Sequence, residues 1–281
     1  MLTIYQAVNK MTILLKETTE DARFEAEIIL AHILKKDRIY INAYKDLPLD
    51  EDIFKKYEIL CQKRQKGMPF AYITNSKEFM GLDFYVDENV LIPRCETEMI
   101  VEYVISKYKG LNLHIVDLCC GSGIIGISIL HYLKDISVTA IDISDGALEV
   151  SKKNADNLNV SKRITFKKGD ALKPLNLPKK ADILISNPPY IKTSVIDTLS
   201  KDVKDYEPHL ALDGSYDGLI FYKEIVNNIE SSLNKDGEII FEIGYDQAKD
   251  VCEILKDKFK DVKVYKDIFQ NDRMVTGILK G

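Results

Sequence analysis

Along residues 18–36, apolar side chains at Ala22, Ala26, Ile29, Leu30, Ile33 and Leu34 recur at the spacing of an amphipathic helix, with Thr18 and Asp21 placed as an N-terminal capping pair. A second helix is predicted after Pro48, with Asp50 as its cap. It carries Ile53, Tyr57, Leu60 and Cys61 on one face and ends at Gly67 before Pro69. Short helices need a partner to persist in water, so residues 1–75 read as a small helical bundle. From Phe79 to Ile92 the segment FMGLDFYVDENVLI alternates around the polar turn 87–89, which predicts a β-hairpin and makes 76–95 a linker.

Beyond residue 96 the period changes. Short apolar runs at His114 to Leu118, Ser137 to Asp142, Ile164 to Lys168, Asp182 to Asn187, Glu238 to Ile243, Val262 to Lys266 and Met274 to Leu279 read as strands. Helical patterns fall between most of them, at Thr97 to Tyr108, Ile124 to Leu133, Ala147 to Asn157, Leu219 to Leu233 and Asp246 to Phe259. Such alternation builds an α/β domain, a mainly parallel sheet with helices on both faces, and places ligands outside the carboxyl ends of the strands.

The chain has 281 residues, 46% hydrophobic and 30% charged, which suits about two folded domains and rules out disordered, collagen-like and coiled-coil classes. Lys and Arg number 39 against 44 Asp and Glu, a net charge of −5, so the surface as a whole does not favour a polyanion. The longest apolar runs, such as Ile124 to Leu130, fall far short of the roughly 20 residues of a membrane helix. Residues 1–21 lack the basic, apolar and small-residue segments of a secretory signal. Five cysteines without a CxxC spacing fit free thiols in a reducing cytoplasm. His32, His114, His131 and His209 are scattered away from them, so no metal is expected.

The first strand of the alternating region runs into CCGSG, where the turn at Gly121, Ser122 and Gly123 lets backbone approach a ligand before a helix begins. Neither the full GxGxxG pattern nor the GK[ST] of a phosphate loop is present, so the turn alone carries little. Asp142 closes the second strand roughly 20 residues further on, where a carboxylate accepts hydrogen bonds from two ribose hydroxyls. The third strand runs into Gly169, Asp170 and Ala171; Asp170 fits a loop cap as well as an adenine contact. The fourth ends in Asn187, Pro188, Pro189 and Tyr190, two prolines that stop the strand and stiffen the loop holding Asn187. That tetrapeptide suits a planar NH₂ group: the Asn187 side-chain and Pro188 backbone carbonyls accept its protons while Tyr190 stacks on its face. Together these strand ends point to a nitrogen attacking an electrophile on a nucleoside-bearing cofactor.

DLCCGSG, Asp142, Gly169 with Asp170, and NPPY together resemble the class I methyltransferases that use S-adenosylmethionine to methylate an exocyclic or amide nitrogen. DARFEAEIILAHILKKDR, PFAYI, LIPRCETE, NPPY, YEPHLALDGSYDGLIFYKEI, EIGYDQ and DRMV follow the order of the peptide-chain release factor glutamine-N5 methyltransferases, the PrmC/HemK family. This resemblance spans nearly the whole chain. NPPY alone is shared with adenine-N6 DNA methyltransferases; LIPRCETE and the N-terminal segment carry the distinction. The resemblance implies a Rossmann-like methyltransferase domain over residues 96–281 with a seven-stranded, mostly parallel sheet, joined by the hairpin to an N-terminal helical domain that recognises the substrate. It implies S-adenosyl-L-methionine as cofactor, S-adenosyl-L-homocysteine as product and no metal. Cys119, Cys120, Gly121, Ser122 and Gly123 would wrap the methionine moiety, with Asp117 at its amino group, Asp142 on the ribose, and Asp170 with Ala171 at the adenine. Asn187, Pro188, Pro189 and Tyr190 would hold a glutamine, with Asn187 also bordering the cofactor, for in-line methyl transfer without a general base. The implied partner is a class I release factor, through the glutamine of its GGQ motif, with neither membrane nor nucleic acid engaged directly.

Other positions keep two readings. Arg94, Glu96 and Glu98 fit cap and first-turn charges of the following helix as well as catalysis. Glu242, Gln247, Asp267 and Arg273 match family positions and equally fit surface ion pairs, and Lys63, Arg64 and Lys66 read as a solvated helix face. The chain departs from the family pattern at Cys119 and Cys120, which stand for a Gly and usually a Thr and fit as small residues at negative φ. It departs also at Cys95 for Pro, at Asn75 for Gly, and at Ala171 for a larger side chain. An adenine-N6 nucleic-acid methyltransferase is the alternative, but it would want a basic groove that this composition does not supply.

Overall fold

The computed structural model describes residues 1–281. In chain order its elements are α1 (Ile4–Leu15), α2 (Ala22–Leu34), α3 (Arg38–Ala43), α4 (Glu51–Gln65), α5 (Phe70–Thr74), β1 (Lys77–Phe79), β2 (Leu82–Phe84), α6 (Glu98–Tyr108), β3 (Leu113–Leu118) and α7 (Ile124–Tyr132). Then come β4 (Ile136–Asp142), α8 (Asp145–Asn157), β5 (Ile164–Lys168), β6 (Ala181–Ser186), α9 (Thr193–Ile196), α10 (Lys201–Lys204), α11 (Ile220–Asn227), β7 (Leu233–Glu242), α12 (Ala248–Leu255), β8 (Phe259–Lys266) and β9 (Asp272–Leu279). The chain divides into two compact units, Met1–Ser76 with Ser200–Tyr206, and Lys77–Leu199 with Glu207–Gly281.

In the first unit α1, α2 and α4 pack around Met11, Leu15, Ile29, Leu30 and Tyr57, all buried. Asp50 caps α4 by accepting from the Asp52 and Ile53 N–H groups, whereas Asp21 precedes α2 without a side-chain cap bond. The pattern does not single out α1, yet Thr3 and Gln6 cap each other reciprocally at its start. Arg64 leaves the solvated face suggested by the sequence. It pairs with Glu25 at 2.7 Å, both side chains largely buried, because a carboxylate enclosed between α2 and α4 needs a cation. The Tyr57 hydroxyl donates to the Ala26 carbonyl at 2.8 Å across the same pair of helices.

The second unit is a seven-stranded sheet of order β5-β4-β3-β6-β7-β9-β8. β3 runs parallel to β4 and β6, β4 to β5, and β6 to β7, while β9 is antiparallel to both β7 and β8. Ile115, Val116, Ile183, Leu184, Ile240 and Phe241 are buried on both faces, as strands covered by helices on either side require. The order reverses between β3 and β6, so their carboxyl ends open a crevice. No helix is long and apolar enough to cross a membrane, and the five cysteines are free thiols.

Three predicted elements move, one of them the helix expected over Asp246 to Phe259, which ends at Leu255 before Phe259 opens β8. The hairpin is β1–β2, paired Phe79↔Leu82 across Met80 and Gly81, both at positive φ. It precedes residues 87–89 because Gly81 supplies the tight turn; Asp87 instead closes a local turn by accepting from Asn89 N–H at 3.0 Å. The helix expected over Leu219 to Leu233 ends at Asn227, and Leu233 opens β7 opposite Ala181, where its side chain reaches the core.

Candidate active site

The carboxyl ends of β3, β4, β5 and β6 surround a cavity of about 220 Å³ with largely apolar walls. After β3 the chain reverses through a turn in which Cys119, Gly121 and Gly123 take φ of 61°, 54° and 80°. Negative φ at Cys119 is therefore not what the structure shows. A side chain sits in the left-handed conformation, at a cost of about 1–2 kcal/mol, while Cys119 packs against the core cluster beneath. A Cβ on Gly123 would lie 2.2 Å from Ser151 Oγ and 2.6 Å from Ile127 Cδ1, whereas one on Gly121 would meet nothing within 4 Å. Packing thus demands glycine at 123 and conformation demands it at 121. Ser122 is buried, its carbonyl accepting from Asn154 Nδ2 at 2.9 Å.

Asp142, at the end of β4, accepts from Gly121 N–H through Oδ2 and from Ser144 N–H through Oδ1, each at 2.9 Å. Burial raises its pKa against those backbone bonds. It borders the cavity with acceptor lone pairs to spare. Asp117 does not border it. Lying inside β3, its side chain turns under α7, where Oδ2 accepts from Gly126 N–H at 2.9 Å and Oδ1 has no partner; burial pushes its pKa to about 7. Asp117 therefore supports the turn from beneath, outside the cavity lining. Asp170 does line the cavity, but Oδ1 accepts from Leu172 N–H at 2.9 Å and Oδ2 pairs with Lys173 at 3.1 Å, which holds its pKa down. Ala171 is buried in the wall beside Leu172 and Phe221.

Of the NPPY loop, Asn187 and Pro189 line the cavity and Pro188 and Tyr190 do not. Ile191 bridges to Asp213 and draws Tyr190 back onto the 213–218 loop, and the half-buried ring packs on the core cluster. The Tyr190 carbonyl accepts from Gln247 Nε2 at 3.1 Å, which also donates to the Gly218 carbonyl at 3.1 Å, while Gln247 Oε1 accepts from Gly244 N–H at 2.9 Å. The 213–218 loop presses close: Cβ atoms on Gly214 and Gly218 would lie 2.8 Å and 2.4 Å from Tyr190 backbone atoms.

Asn187 Nδ2 points at Thr97 Oγ1, 3.5 Å away. Beside them Glu242 is 2% exposed, and its Oε2 has no hydrogen-bond partner. Burial pushes this carboxyl up to about 7, opposed by the Thr97 hydroxyl, the Arg273 charge and the Asn187 amide. Arg273 and Asp267 meet at 3.5 Å, both largely buried. Glu242, Gln247, Asp267 and Arg273 are thus not surface ion pairs: Glu242, Gln247 and Asp267 are buried, and the Arg273 side chain is 14% exposed. Neither Arg94 nor Glu96 caps α6. Arg94 lines the cavity and donates to Glu207 Oε1 at 2.6 Å, while Glu207 Oε2 accepts from Ile92 N–H at 3.2 Å. Glu96 accepts from the Cys95 thiol at 3.3 Å. Glu98, in the first turn of α6, accepts from Met80 N–H at 2.5 Å. Sequence reasoning did not single out Thr97 or Glu207; their only signal was membership of LIPRCETE and YEPHL.

Residues 6–74 match the family described as PrmC N-terminal domain, and residues 96–215 match the one described as methyltransferase small domain. A protein of Clostridium acetobutylicum named release factor glutamine methyltransferase is 43% identical over 283 residues, covering 99% of this chain and 99% of that protein. Its namesake in Clostridium botulinum is 41% identical over 266 residues, covering 94% of each. Among solved structures, a methyltransferase from Pyrococcus furiosus shares the fold, with a TM-score of 0.52 at 17% identity over 72% of this chain and 90% of that one.

Proposed function

Since this chain belongs to the release factor glutamine methyltransferase family, we propose that it methylates a glutamine side-chain amide nitrogen, that of the GGQ motif in class I release factors, using S-adenosyl-L-methionine. One observation carries the reading. Asn187 turns its NH₂ group towards Thr97 and so leaves its carbonyl to accept from a substrate NH₂, in the cavity that Asp142 also borders.

The residues present fit the cofactor. Gly121 leaves open space where a side chain would stand, Asp142 has lone pairs left for ribose hydroxyls, and Ala171, Leu172 and Phe221 offer an apolar slot for adenine. When bound, the cofactor supplies an electrophilic sulfonium methyl. Asn187 Oδ1 accepts a hydrogen bond from the glutamine NH₂ and holds its nitrogen in place. Pro188, Pro189 and Tyr190 keep that loop in place. Holding reacting atoms in near-attack geometry is worth up to about 7–11 kcal/mol, and the methylated amide is acidic enough to lose its proton without a general base. Residues 1–75 recognise the protein substrate, 76–95 link, and 96–281 carry the chemistry, in the cytoplasm.

The test is mass spectrometry of a release factor and of duplex DNA, each incubated with the protein and labelled S-adenosylmethionine. A single methyl on the GGQ glutamine is expected. Label on adenine, or on neither while the cofactor binds, overturns the reading.

A further inference from the structure

An asparagine amide is nearly symmetric in shape, and a half-turn of its side chain exchanges oxygen and NH₂ at little steric cost. Chemically the two ends are opposite. With the oxygen towards a substrate NH₂, Asn187 accepts its hydrogen bond; with its own NH₂ there, two donors face each other and the nitrogen is not held. Something in the protein has to choose between them.

The groups behind Asn187 make that choice. Thr97 is 1% exposed and its Oγ1 receives Asn187 Nδ2 at 3.5 Å. A hydroxyl that accepts in this way still has its own proton to donate, and Glu242 lies where the Thr97 hydroxyl and the Asn187 amide both stabilise its charged form. An ionised carboxylate only accepts. It therefore tolerates the NH₂ end of Asn187 and the hydroxyl proton of Thr97, and repels the carbonyl end. Its Oε2, buried and without a partner, keeps a further acceptor position open to that donor pair. Burying a carboxylate is costly, and Leu or Gln at the end of β7 would fill the space more cheaply.

We propose that Thr97 and Glu242 are positioning residues that fix which end of the Asn187 amide faces the reacting nitrogen, an inference that rests on the glutamine-amide reading above. Glu242 lies outside the cavity lining, and Thr97, at the cavity wall, is 1% exposed and turned to Asn187. Both act through Asn187.

Glu242→Gln keeps the shape and removes a buried charge, so it is expected to fold, but its own amide offers a donor as well as an acceptor and no longer specifies the orientation. Turnover on a release factor should fall about 10- to 100-fold, with KM for S-adenosylmethionine and for the release factor within about twofold of wild type. Thr97→Val should lower turnover similarly and Thr97→Ser should restore most of it; the two lesions combined should be no worse than the more severe alone. Arg273, Glu96, Tyr190 and Tyr222 are the charged or titratable groups around Glu242. A protonated Glu242 can donate to the wrong end of Asn187, so wild-type turnover should fall below a pH of about 7. That limb should be absent from Glu242→Gln.

A second readout needs no substrate. In the free protein, nuclear Overhauser contacts from the Asn187 side-chain NH₂ protons to the Thr97 methyl should be present in wild type and lost in Glu242→Gln. If those contacts persist unchanged in the variant, the positioning role is overturned, and so it is if turnover keeps its wild-type value and pH profile. If the contacts respond as expected while wild-type protein leaves the release factor unmethylated, the positioning role stands and the substrate reading falls.

Discussion

The two loops that meet at the cavity are made rigid by different means. The 119–123 turn is set by its own backbone: three residues at positive φ, and a Gly121 N–H tied to Asp142, 21 positions away, at the end of the neighbouring strand. The 187–190 loop borrows its rigidity. Gln247 lies 57 positions from the Tyr190 carbonyl it holds, and Thr97 lies 90 from the Asn187 amide it receives. Damage to the turn should therefore appear in stability and cofactor affinity together. Damage behind the other loop should appear in turnover while cofactor affinity stands.

The most severe test of that contrast is Asn187→Ala. Under the proposed function, loss of the Asn187 acceptor should lower turnover about 10³-fold, equivalent to about 4 kcal/mol of transition-state stabilisation, with a calorimetric Kd for S-adenosylmethionine close to wild type. An equal loss of affinity would mean that the loops are not separable. On the other side, Gly123→Ala forces a Cβ against Ser151 and Ile127 and adds left-handed strain, so urea unfolding should register a loss of about 3 kcal/mol. Gly121→Ala meets open space and should lose only about 1–2 kcal/mol, from conformation alone. Next comes Gln247→Leu, which keeps the bulk and removes four hydrogen bonds. Stability should fall by about 2 kcal/mol and turnover with it, and cofactor affinity that fell in step would break the comparison.

The same contrast explains what the sequence made legible. All seven strands of the sheet are present where short apolar runs lie between helical patterns, because period and length are local properties. Asp142 was placed at a strand end from spacing alone, and Asn187 from the prolines that follow it. Asp117 and Tyr190 were read as facing ligands, although one turns under α7 and the other is drawn onto the 213–218 loop. Which way a side chain leaves a strand end depends on packing from distant segments. Glu242, Gln247, Asp267 and Arg273 were visible as polar residues near strand ends, but a carboxylate in a sequence carries no mark of being buried. Thr97, hidden between two charged neighbours, offered nothing in period or composition to set it apart.

Under each loop lies one buried carboxyl, Asp117 beneath the turn and Glu242 beneath Asn187, each raised by burial to about 7. Between its unfolded value and about 7, such a group stays protonated in the folded protein while the unfolded chain has released its proton. Each therefore subtracts stability as pH rises through that window, on the order of 1.4 kcal/mol per pH unit, and the loss levels off above about 7. Thermal unfolding of wild type, Asp117→Asn and Glu242→Gln at pH 5 and pH 8 separates the two contributions. Each variant should gain more on wild type at pH 8 than at pH 5, by on the order of 3 kcal/mol. A variant that gains no more at pH 8 than at pH 5 would mean that its carboxyl is not held protonated by the fold.

The smallest effect bears most directly on whether the turn is set by its own backbone. Cys119 occupies φ of 61° where glycine would be unstrained. Cys119→Gly should recover about 1–2 kcal/mol of left-handed strain and give back about 0.5–1 kcal/mol through the greater freedom of the unfolded chain, less whatever the thiol gains by packing on the core cluster. The net change in urea unfolding should stay within about 1 kcal/mol, with cofactor Kd unaltered. Cys119→Val, β-branched and poorly suited to that conformation, should instead lose stability and affinity together. A marked loss of stability in Cys119→Gly would show that the thiol's contacts hold the turn in shape. The cofactor side would then borrow its rigidity from the core, as the NPPY side does.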